Sequence, residues 1–597
     1  MNVSNWNGKT YENQFTQYGM NQGLKLFQHE GEEAIMKELQ QMHDLEVVEG
    51  MEPSSVTPEM RKKALNYLMF LKRKKSGKVK GRGCADGRKQ REYIKKEDAA
   101  SPTVSIPALM ISTLQDAIEE RNIVTLDIPG AFLQTDQPDD DEVIIRFTGK
   151  MVEWLAKIDP KIYRDKITIN KDGKGILYAK AKKAIYGCLR SAYLFYLKLK
   201  ADLTNWGFKE NPYDACTVNK TFTSGKNKYQ CTIQWHVDDL KISCKNNRVI
   251  KSVVQRLKEV YGKTAPLTIS TGKVHEYLGM EIDFSKKGKV TYSQYDYINE
   301  ILFSVSKYKD MQGESPTPAS PHLFQNDDEA AVLLPEDQAD LFHHYVAQLL
   351  FLCKRARPDL QTAVAFLCTR VKAPNKHDWK KLCHVIRYLR GTAHLPLIIG
   401  WDQSGNIYWY VDAAFAVHND MRGHTGAIMT MGQGAIIGIS NKQKINTKSS
   451  TEAELVGIDE PLPLILWSRM FAKAQGIEIK DNILYQDNMS AIRMEKYGKR
   501  SCTKRTRHIN IRYFFICDKV NNKEVSIEYC PTTEMIADYF SKPLGGSQFR
   551  KMRNLVLGIN EKDMPDYRSS YHQATQKWYQ RNHPDQSPMT GEPVNNE

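Results

Sequence analysis

A change of phase around two adjacent aspartates constrains this chain more than any other sequence feature. Apolar residues fall at odd positions before the pair Asp238-Asp239 and at even positions after it: Cys231, Ile233, Trp235 and Val237, then Leu240, Ile242 and Cys244. A period of two marks a half-buried strand, and an uninterrupted change of phase indicates a tight hairpin turn. We therefore predict two antiparallel strands with two carboxylates at their turn. Taken alone, a solvated Asp-Asp turn is the commoner explanation of such a pair.

Composition and charge narrow the class of protein. A chain of 597 residues indicates several domains. Its 85 Lys and Arg against 70 Asp and Glu favour a polyanionic partner such as nucleic acid, although a merely soluble basic protein stays open. Eleven cysteines without a Cys-x-x-Cys pair argue against a zinc site or a disulfide scaffold and fit a reducing compartment. The polar first 22 residues and the lack of a long apolar run predict neither a signal peptide nor a membrane span.

A third carboxylate lies near the end of an apolar run earlier in the chain. Residues 123–128 predict a buried strand that carries Asp127, and residues 109–118 before it predict a helix. Three carboxylates from two strands are the minimum that can hold two divalent cations for in-line phosphoryl chemistry. Mg²⁺ suits such an all-oxygen set of ligands, because substrate phosphates can complete its shell. The three aspartates therefore fit a polymerase site.

Four motifs in order resemble the reverse transcriptases of copia-type LTR retrotransposons. They are Leu126–Leu133 (LDIPGAFL), Lys183–Gly187 (KAIYG), His236–Leu240 (HVDDL) and Tyr277–Met280 (YLGM). The resemblance implies that Asp127, Asp238 and Asp239 are catalytic metal ligands and that the cofactor is Mg²⁺, two per site, with Mn²⁺ as an alternative. His236 departs from the family's usual tyrosine. An imidazole can still hydrogen-bond a primer, but histidines change charge near neutral pH.

The resemblance also assigns residues to the incoming nucleotide. Phe132 stands where the family places the aromatic ring that faces the sugar, and such a ring would clash with a 2′-hydroxyl; simple core packing is the alternative. Tyr186 and Gly187 belong to the motif near the nucleotide. Lys80 and Arg82 fall where a basic loop of the fingers contacts the triphosphate, although a solvated charged face would show the same pattern. After Gly187, the sequence CLRSA replaces the family's commoner LKQAP, which leaves contacts with the template uncertain.

A second set of carboxylates follows in the C-terminal third of the chain. It resembles the Asp-Glu-Asp-Asp set of ribonuclease H and consists, in order, of Asp412, Glu454, Asp487 and Asp538. The resemblance implies that these four residues are catalytic metal ligands, since two cations must flank one scissile phosphate. Ser449 and Glu452 have the spacing of a capping box, which would tie Glu452 to a helix end and leave Glu454 to face the site.

A basic cluster follows the third carboxylate of this second set. It consists of Lys504, Arg505, Arg507 and His508. A solvated charged face is one explanation of such a cluster. Within the copia-like context we favour contact with the backbone of an RNA–DNA hybrid, which predicts a salt-dependent affinity.

The resemblance covers residues from about 78 to 555 and implies an α/β (α+β) fold. It predicts a right-hand polymerase with palm, fingers and thumb, a helical connection and a ribonuclease H-like domain. The predicted domains are 1–77, an unassigned N-terminal extension; 78–305, fingers, palm and thumb; 306–400, linker and helical connection; 401–555, the ribonuclease H-like domain; and 556–597, a polar tail expected to be disordered.

The function that the resemblance implies is RNA-directed DNA synthesis with ribonuclease H cleavage of the RNA strand in the hybrid product. The partners it implies are an RNA template, a DNA primer and product, the RNA–DNA hybrid, a tRNA primer, dNTP substrates, and the integrase and capsid proteins of the same element. The implied location is a virus-like particle in the cytoplasm, with the nucleus as an alternative. A catalytically inactive or host-adopted copy that only binds nucleic acid is the competing hypothesis.

Overall fold

The structure of this chain is a computed structural model, which describes residues 17–73, 77–325, 332–498 and 510–582. The strands are β1 Tyr18–Gly19, β2 Val48–Gly50, β3 Leu65–Arg73, β4 Val79–Ala85, β5 Asn122–Asp127, β6 Ile144–Thr148, β7 Thr168–Ile169, β8 Gly175–Ala181, β9 Lys209–Asn211, β10 Asp214–Ser224, β11 Asn227–His236, β12 Asp239–Cys244, β13 Thr268–Gly272, β14 Val274–Tyr277, β15 Met280–Asp283, β16 Lys289–Ser293, β17 Leu397–Trp401, β18 Asn406–Ala414, β19 His424–Thr430, β20 Gly432–Gln433, β21 Ile437–Lys442, β22 Asp481–Gln486 and β23 Ser526–Tyr529. The helices are α1 Met20–Asp44, α2 Pro58–Lys63, α3 Lys96–Ala99, α4 Ile106–Ile118, α5 Lys150–Ile158, α6 Pro160–Tyr163, α7 Ser191–Asn205, α8 Asn247–Tyr261, α9 Tyr295–Ser304, α10 Glu336–Cys353, α11 Gln361–Cys368, α12 Lys376–Gly391, α13 Ser450–Asp459, α14 Leu462–Ala474, α15 Met489–Tyr497, α16 Asn510–Asn521, α17 Asp538–Ser541, α18 Gly546–Leu557 and α19 Met564–Asn582.

The first sheet, which we call the fingers sheet, begins well before the predicted boundary at residue 77. Its strands run in the order β1-β3-β6-β8-β2, with β4 beside β3 and β7 beside β8. Helix α1 packs across β3 and β4 and buries Ile35 and Leu39 completely. Residues from Tyr18 onward therefore belong to this unit rather than to a separate extension. The sequence did not predict that α1 belongs to this unit, because the apolar stripe of α1 is narrow and its other faces are polar.

The second sheet, which we call the palm sheet, has the strand order β13-β5-β12-β11-β10-β9. The predicted hairpin is confirmed, because β11 and β12 pair antiparallel around a two-residue turn. The prediction that its strands are half-buried is wrong for β12, where five of the six residues are buried. Helix α4 covers the polar face of this hairpin, and Gln234 of β11 donates to the carbonyl of Ala108 and to Ser112 on that helix.

A third sheet joins the part of the chain that forms the first two sheets to its C-terminal part. It runs β14-β15-β16-β17-β20, so that β17 pairs with β16 on one side and with β20 on the other. Because β20 lies between strands of the next sheet in sequence, the predicted boundary at residue 401 does not separate two independent units. Helices α9 to α12 and α18 share one apolar core next to this sheet.

The fourth sheet has the order β21-β19-β18-β22-β23. Strands β18, β19 and β21 form an antiparallel meander. Strand β22 pairs parallel with β18, and β23 pairs parallel with β22. Helix α13 packs against β18. The predicted α/β class is therefore confirmed by four mixed or antiparallel sheets with helices between them.

Two segments predicted to lack structure are ordered where the structure describes them. In the predicted linker, Leu323 and Phe324 are buried, and Lys381 of α12 donates to the carbonyl of Leu323 at 2.8 Å. The predicted tail contains α19, which packs on α9. Tyr571 and Trp578 of α19 lie seven residues apart on one helix face and contact aromatic residues of α9. These aromatic contacts attach α19 to α9 although most residues of α19 are polar.

Two further expectations concern membranes and thiols. In the described ranges, no helix is both long and apolar enough to cross a membrane. The ten cysteines that fall within these ranges are free thiols.

Candidate active sites

The hairpin predicted from the phase change has a strained two-residue turn. Cα register pairs His236 with Asp239, so that Val237 and Asp238 form the turn. Val237 has a φ of 59°, a left-handed conformation that is rare for a β-branched residue. Such a conformation persists only when the surroundings fix it, and it is typical of functional sites. The turn thereby holds the two carboxylates of Asp238 and Asp239 at the end of the palm sheet.

Asp127 lies directly beside the hairpin. Strand β5 pairs antiparallel with β12, and Asp127 is the register partner of Asp239. Residues directly opposite one another in antiparallel strands point to the same face, with Cβ atoms about 4.5–5.5 Å apart. The backbone N–H of Ile128 also donates to the carbonyl of Asp238 at 3.1 Å. The structure therefore gathers all three predicted carboxylates at one end of the central strands of the palm sheet.

The three carboxylates repel one another. The pKa of Asp239 is raised to about 6, first by burial and then by the charges of Asp238 and Asp127. A divalent cation bound between them would relieve this repulsion, and carboxylate oxygens are the ligands that Mg²⁺ prefers. The residues present therefore fit the cofactor that the resemblance implies.

Three of the predicted nucleotide contacts form one stack next to these carboxylates. The ring centroids of Phe132 and Tyr186 are 4.5 Å apart, and the guanidinium of Arg82 lies 5.0 Å from the Tyr186 ring. The pKa of the Tyr186 phenol is raised by burial first and by the charge of Asp238 next. The stack thus lies between the fingers sheet and the palm carboxylates, with the Arg82 guanidinium on the Tyr186 ring.

The other two predicted nucleotide-contact residues, Gly187 and Lys80, lie beside and on β4 of the fingers sheet. Gly187 has a φ of 93°, and a Cβ added there would lie 2.1 Å from the carbonyl oxygen of Ala85. This close approach, together with the hydrogen bond from Ala85 N–H to the Tyr186 carbonyl at 2.7 Å, docks the motif on β4. Lys80 lies two residues from Arg82 on β4, and both cations lower the pKa of Glu38, which burial raises. Lys80 thus lies on the same basic face as Arg82.

The motif Tyr277–Met280 is held in place by two hydrogen bonds that were not predicted from the sequence. The hydroxyl of Tyr277 donates to the carbonyl of Asp239 at 3.3 Å, which ties this segment to the Asp238-Asp239 hairpin. Arg355, two residues after the end of α10, donates from Nε to the carbonyl of Leu278 at 3.0 Å. A tyrosine in a quoted motif was the available signal for the first contact, whereas nothing near Arg355 in sequence indicates the second.

The second predicted site lies at one end of the fourth sheet. Asp412 is in β18, Glu454 is in α13, and Asp487 follows β22. Each of the three offers a carboxylate oxygen within 4.8 Å of the other two. The pKa of Glu454 is raised by burial first and then by the charges of Asp412 and Asp487. Three convergent carboxylates, of which those of Asp412 and Glu454 are buried, fit a divalent metal site.

The fourth carboxylate of this set, Asp538, is joined to the others through a lysine. Lys542 Nζ lies 2.9 Å from an oxygen of Asp538 and 3.1 Å from an oxygen of Asp412. Burial, followed by the charge of Asp412, raises the pKa of Asp538 to about 6. Asp538 therefore lies at the edge of the same site, with an ammonium group between it and Asp412.

The two glutamates at the start of α13 have different environments. The hydroxyl of Ser449 accepts a hydrogen bond from the N–H of Glu452 at 3.2 Å, as the spacing predicts. The Glu452 carboxylate accepts from the N–H of Lys448 at 2.6 Å, one residue before the position that a capping box would use. Glu452 thus caps the helix, while Glu454 is buried among the other carboxylates. The predicted basic cluster of Lys504, Arg505, Arg507 and His508 lies outside the described residues.

Sequence comparisons agree with the motifs. Residues 55–317 match the family described as "Reverse transcriptase (RNA-dependent DNA polymerase)". The chain is 25% identical over 507 residues to a retrovirus-related Pol polyprotein from transposon TNT 1-94 of Nicotiana tabacum, covering 83% of this chain and 36% of the relative. It is 24% identical over 482 residues to that of transposon RE2 of Arabidopsis thaliana, covering 80% and 30%. The resemblance to copia-type polyproteins is confirmed.

A yeast relative and a solved structure complete the comparisons. The Transposon Ty1-NL2 Gag-Pol polyprotein of Saccharomyces cerevisiae is 24% identical over 509 residues, covering 83% of this chain and 27% of the relative. The chain thus spans about a third or less of the length of these relatives. A foamy viral protease-reverse transcriptase solved in complex with double-stranded DNA aligns with a TM-score of 0.41 at 12% identity, covering 82% of this chain and 68% of the other.

Proposed function

We propose, from the kinship of this chain to the Pol polyproteins of copia-type retrotransposons, that it is an RNA-directed DNA polymerase with a ribonuclease H. The observation that carries the proposal is the pairing of Asp127 with Asp239 across β5 and β12, beside Asp238 at the turn. This arrangement needs residues more than a hundred positions apart to meet at one strand register. A solvated Asp-Asp turn has no such requirement.

In the polymerase site, Asp127, Asp238 and Asp239 would hold the divalent cations. When bound, these cations lower the pKa of the attacking 3′-hydroxyl and neutralise the departing pyrophosphate. Arg82 places a fixed positive charge beside the stacked rings of Tyr186 and Phe132. A guanidinium at this position suits the triphosphate, and the aromatic wall suits the sugar.

In the nuclease site, Asp412, Glu454 and Asp487 would hold a cation against the scissile phosphate of an RNA–DNA hybrid. Their position at one end of the fourth sheet supports this role, since oxygens of all three carboxylates lie within 4.8 Å of one another. Thr532 donates to Asp487 at 2.9 Å and Gln486 donates to Glu454 at 3.3 Å. These two neutral donors orient the carboxylates without neutralising them.

The proposed partners are an RNA template, a DNA primer and product, dNTPs and a tRNA primer, with the integrase and capsid proteins of the same element as further candidates. The net charge of +15 supports nucleic-acid binding. A contact of the Lys504 cluster with the hybrid and a location in a cytoplasmic particle or the nucleus are further proposals.

The decisive experiment measures both activities in one preparation. Primer extension on an RNA template and cleavage of a labelled RNA–DNA hybrid are assayed with Mg²⁺ for the wild type, Asp238→Asn and Asp412→Asn. We expect Asp238→Asn to lose extension but keep cleavage, and Asp412→Asn to do the reverse. A wild type that binds the hybrid but shows neither activity would refute the proposal in favour of an inactive nucleic-acid-binding copy.

Phe132→Ala is expected to let the polymerase incorporate ribonucleotides. Removal of the ring opens the space that a 2′-hydroxyl would occupy, while Tyr186 keeps its contact with Arg82. The discrimination between dNTP and rNTP, measured as the ratio of kcat/KM values, should fall about tenfold to a hundredfold. Phe195→Leu, at a neighbouring buried aromatic, serves as the control. An unchanged ratio in Phe132→Ala would leave Phe132 a packing residue.

Cation binding to the palm carboxylates is expected to weaken as the pH falls through about 6. Because burial and the neighbouring charges raise the pKa of Asp239, this carboxyl is protonated at a higher pH than an ordinary aspartate. Above that pH it is ionised and can bind a cation, and below it a proton competes. Mn²⁺ titrations of Asp412→Asn at pH 7.5 and pH 5.0 measure the effect. Equal palm-site affinity at both pH values contradicts it.

A further inference from the structure

A lysine occupies the position between two nuclease carboxylates. Lys542 Nζ lies 3.1 and 3.3 Å from the two oxygens of Asp412 and 2.9 Å from Asp538. The side chains of Asp412 and Asp538 are 2% and 5% exposed, whereas that of Lys542 is 39% exposed. The ammonium group thus reaches into the site from its open side and bridges two nearly buried carboxylates.

The backbone around Lys542 holds this bridge in place. Lys542 follows the short helix α17, and its own N–H donates to the carbonyl of Asp538 at 3.0 Å. The hydroxyl of Ser541, the preceding residue, donates to Oδ2 of the same Asp412 carboxylate. Two consecutive side chains therefore fix the Asp412 carboxylate, one by a hydrogen bond and one by charge.

The remaining carboxylates of the set have a different environment. Glu454 accepts a hydrogen bond from Gln486, and Asp487 accepts one from Thr532, both of which are neutral groups. Together with Asp412, these two residues form the convergent set within 4.8 Å. The four carboxylates thus form two groups that share Asp412: a cluster of three that suits one divalent cation, and an Asp412–Asp538 pair that already has the Lys542 ammonium between its members.

We propose that Lys542 is a resident cation of the nuclease site. In the absence of nucleic acid it fills the position between Asp412 and Asp538, so that one divalent cation binds at Asp412, Glu454 and Asp487 and a second is excluded. The reason is electrostatic, because an ammonium 3 Å from both carboxylates compensates their charge and repels another cation at the same place. This inference rests on the proposed nuclease function, since that function assigns the four carboxylates to one site.

The test counts Mn²⁺ ions bound to the full chain by calorimetry and by electron paramagnetic resonance. The parent protein is Asp238→Asn/Asp239→Asn, which removes two ligands of the palm site. We expect the parent to bind one Mn²⁺ tightly, and Lys542→Gln to bind two. Lys542→Arg keeps the positive charge and should bind one. Lys551→Gln, at an exposed lysine that donates to the carbonyl of Thr533, is the matched control and should also bind one.

A second substitution locates the extra ion. Adding Asp538→Asn to Lys542→Gln should return the count from two to one, because it removes a ligand of the second position. A parent that binds two ions, or a folded Lys542→Gln protein that still binds one, would overturn the proposal. The ion count is independent of turnover: if the parent fails to cleave a hybrid yet shows the expected counts, the nuclease function fails while the role of Lys542 stands.

Discussion

Glu454→Gln is expected to lower RNA cleavage about a thousandfold or more, whereas Glu452→Gln should lower it less than tenfold. Glu454 is buried among the carboxylates of Asp412 and Asp487 and offers an oxygen to the convergent set. An amide in its place removes a negative ligand that two-metal chemistry requires. A thousandfold loss corresponds to about 4 kcal/mol of transition-state stabilisation.

Glu452 provides the matched control, because it differs in role but lies only two residues away. Its carboxylate accepts a hydrogen bond from the backbone of Lys448 at the start of α13, and loss of a helix cap costs about 1 kcal/mol of stability. Steady-state cleavage of a labelled hybrid measures both variants, and primer extension shows whether each retains the rest of its structure. Loss of cleavage in Glu452→Gln alone would reverse the assignment.

Lys241→Met is expected to destabilise the palm sheet by about 3–5 kcal/mol. Lys241 of β12 forms an ion pair with Asp116 of α4, and both side chains are 1% exposed. Removing one partner leaves a buried charge without its closest counter-ion, which is the costly case for buried pairs. The nearest remaining cation is Arg121, 3.7 Å from Asp116. Hydrogen exchange of β12 amides should accelerate about a hundredfold or more, because each 1.4 kcal/mol is a factor of ten.

Two further variants separate charge from packing. Lys245→Met removes an exposed lysine from the loop after β12 and should change exchange little, since exposed ion pairs contribute at most about 1 kcal/mol. Asp116→Leu combined with Lys241→Met replaces the buried pair with apolar side chains and should recover much of the protection. If Lys241→Met exchanges like the wild type, the pair does not stabilise the sheet.

Lys241 also shows which expectation from the sequence was wrong, since its side chain is buried. The alternation of apolar residues around the hairpin predicts one buried and one solvated face, and Lys241 falls on the face assigned to solvent. Helix α4 covers that face, and its Asp116 supplies the charge that makes burial of Lys241 tolerable. A period of two reports which face is apolar, not whether a helix far away in sequence covers the other face.

The sequence by itself determined the hairpin, the α/β class and the order of the carboxylates, because strand periodicity and motif spacing are local properties. Only the tertiary structure decided that Asp127 is the register partner of Asp239, that the carboxylates of Asp412, Glu454 and Asp487 converge within 4.8 Å, and that Lys542 bridges Asp412 and Asp538. These are relations between distant segments. They depend on strand register and on which helix packs over a sheet, and no single segment encodes either.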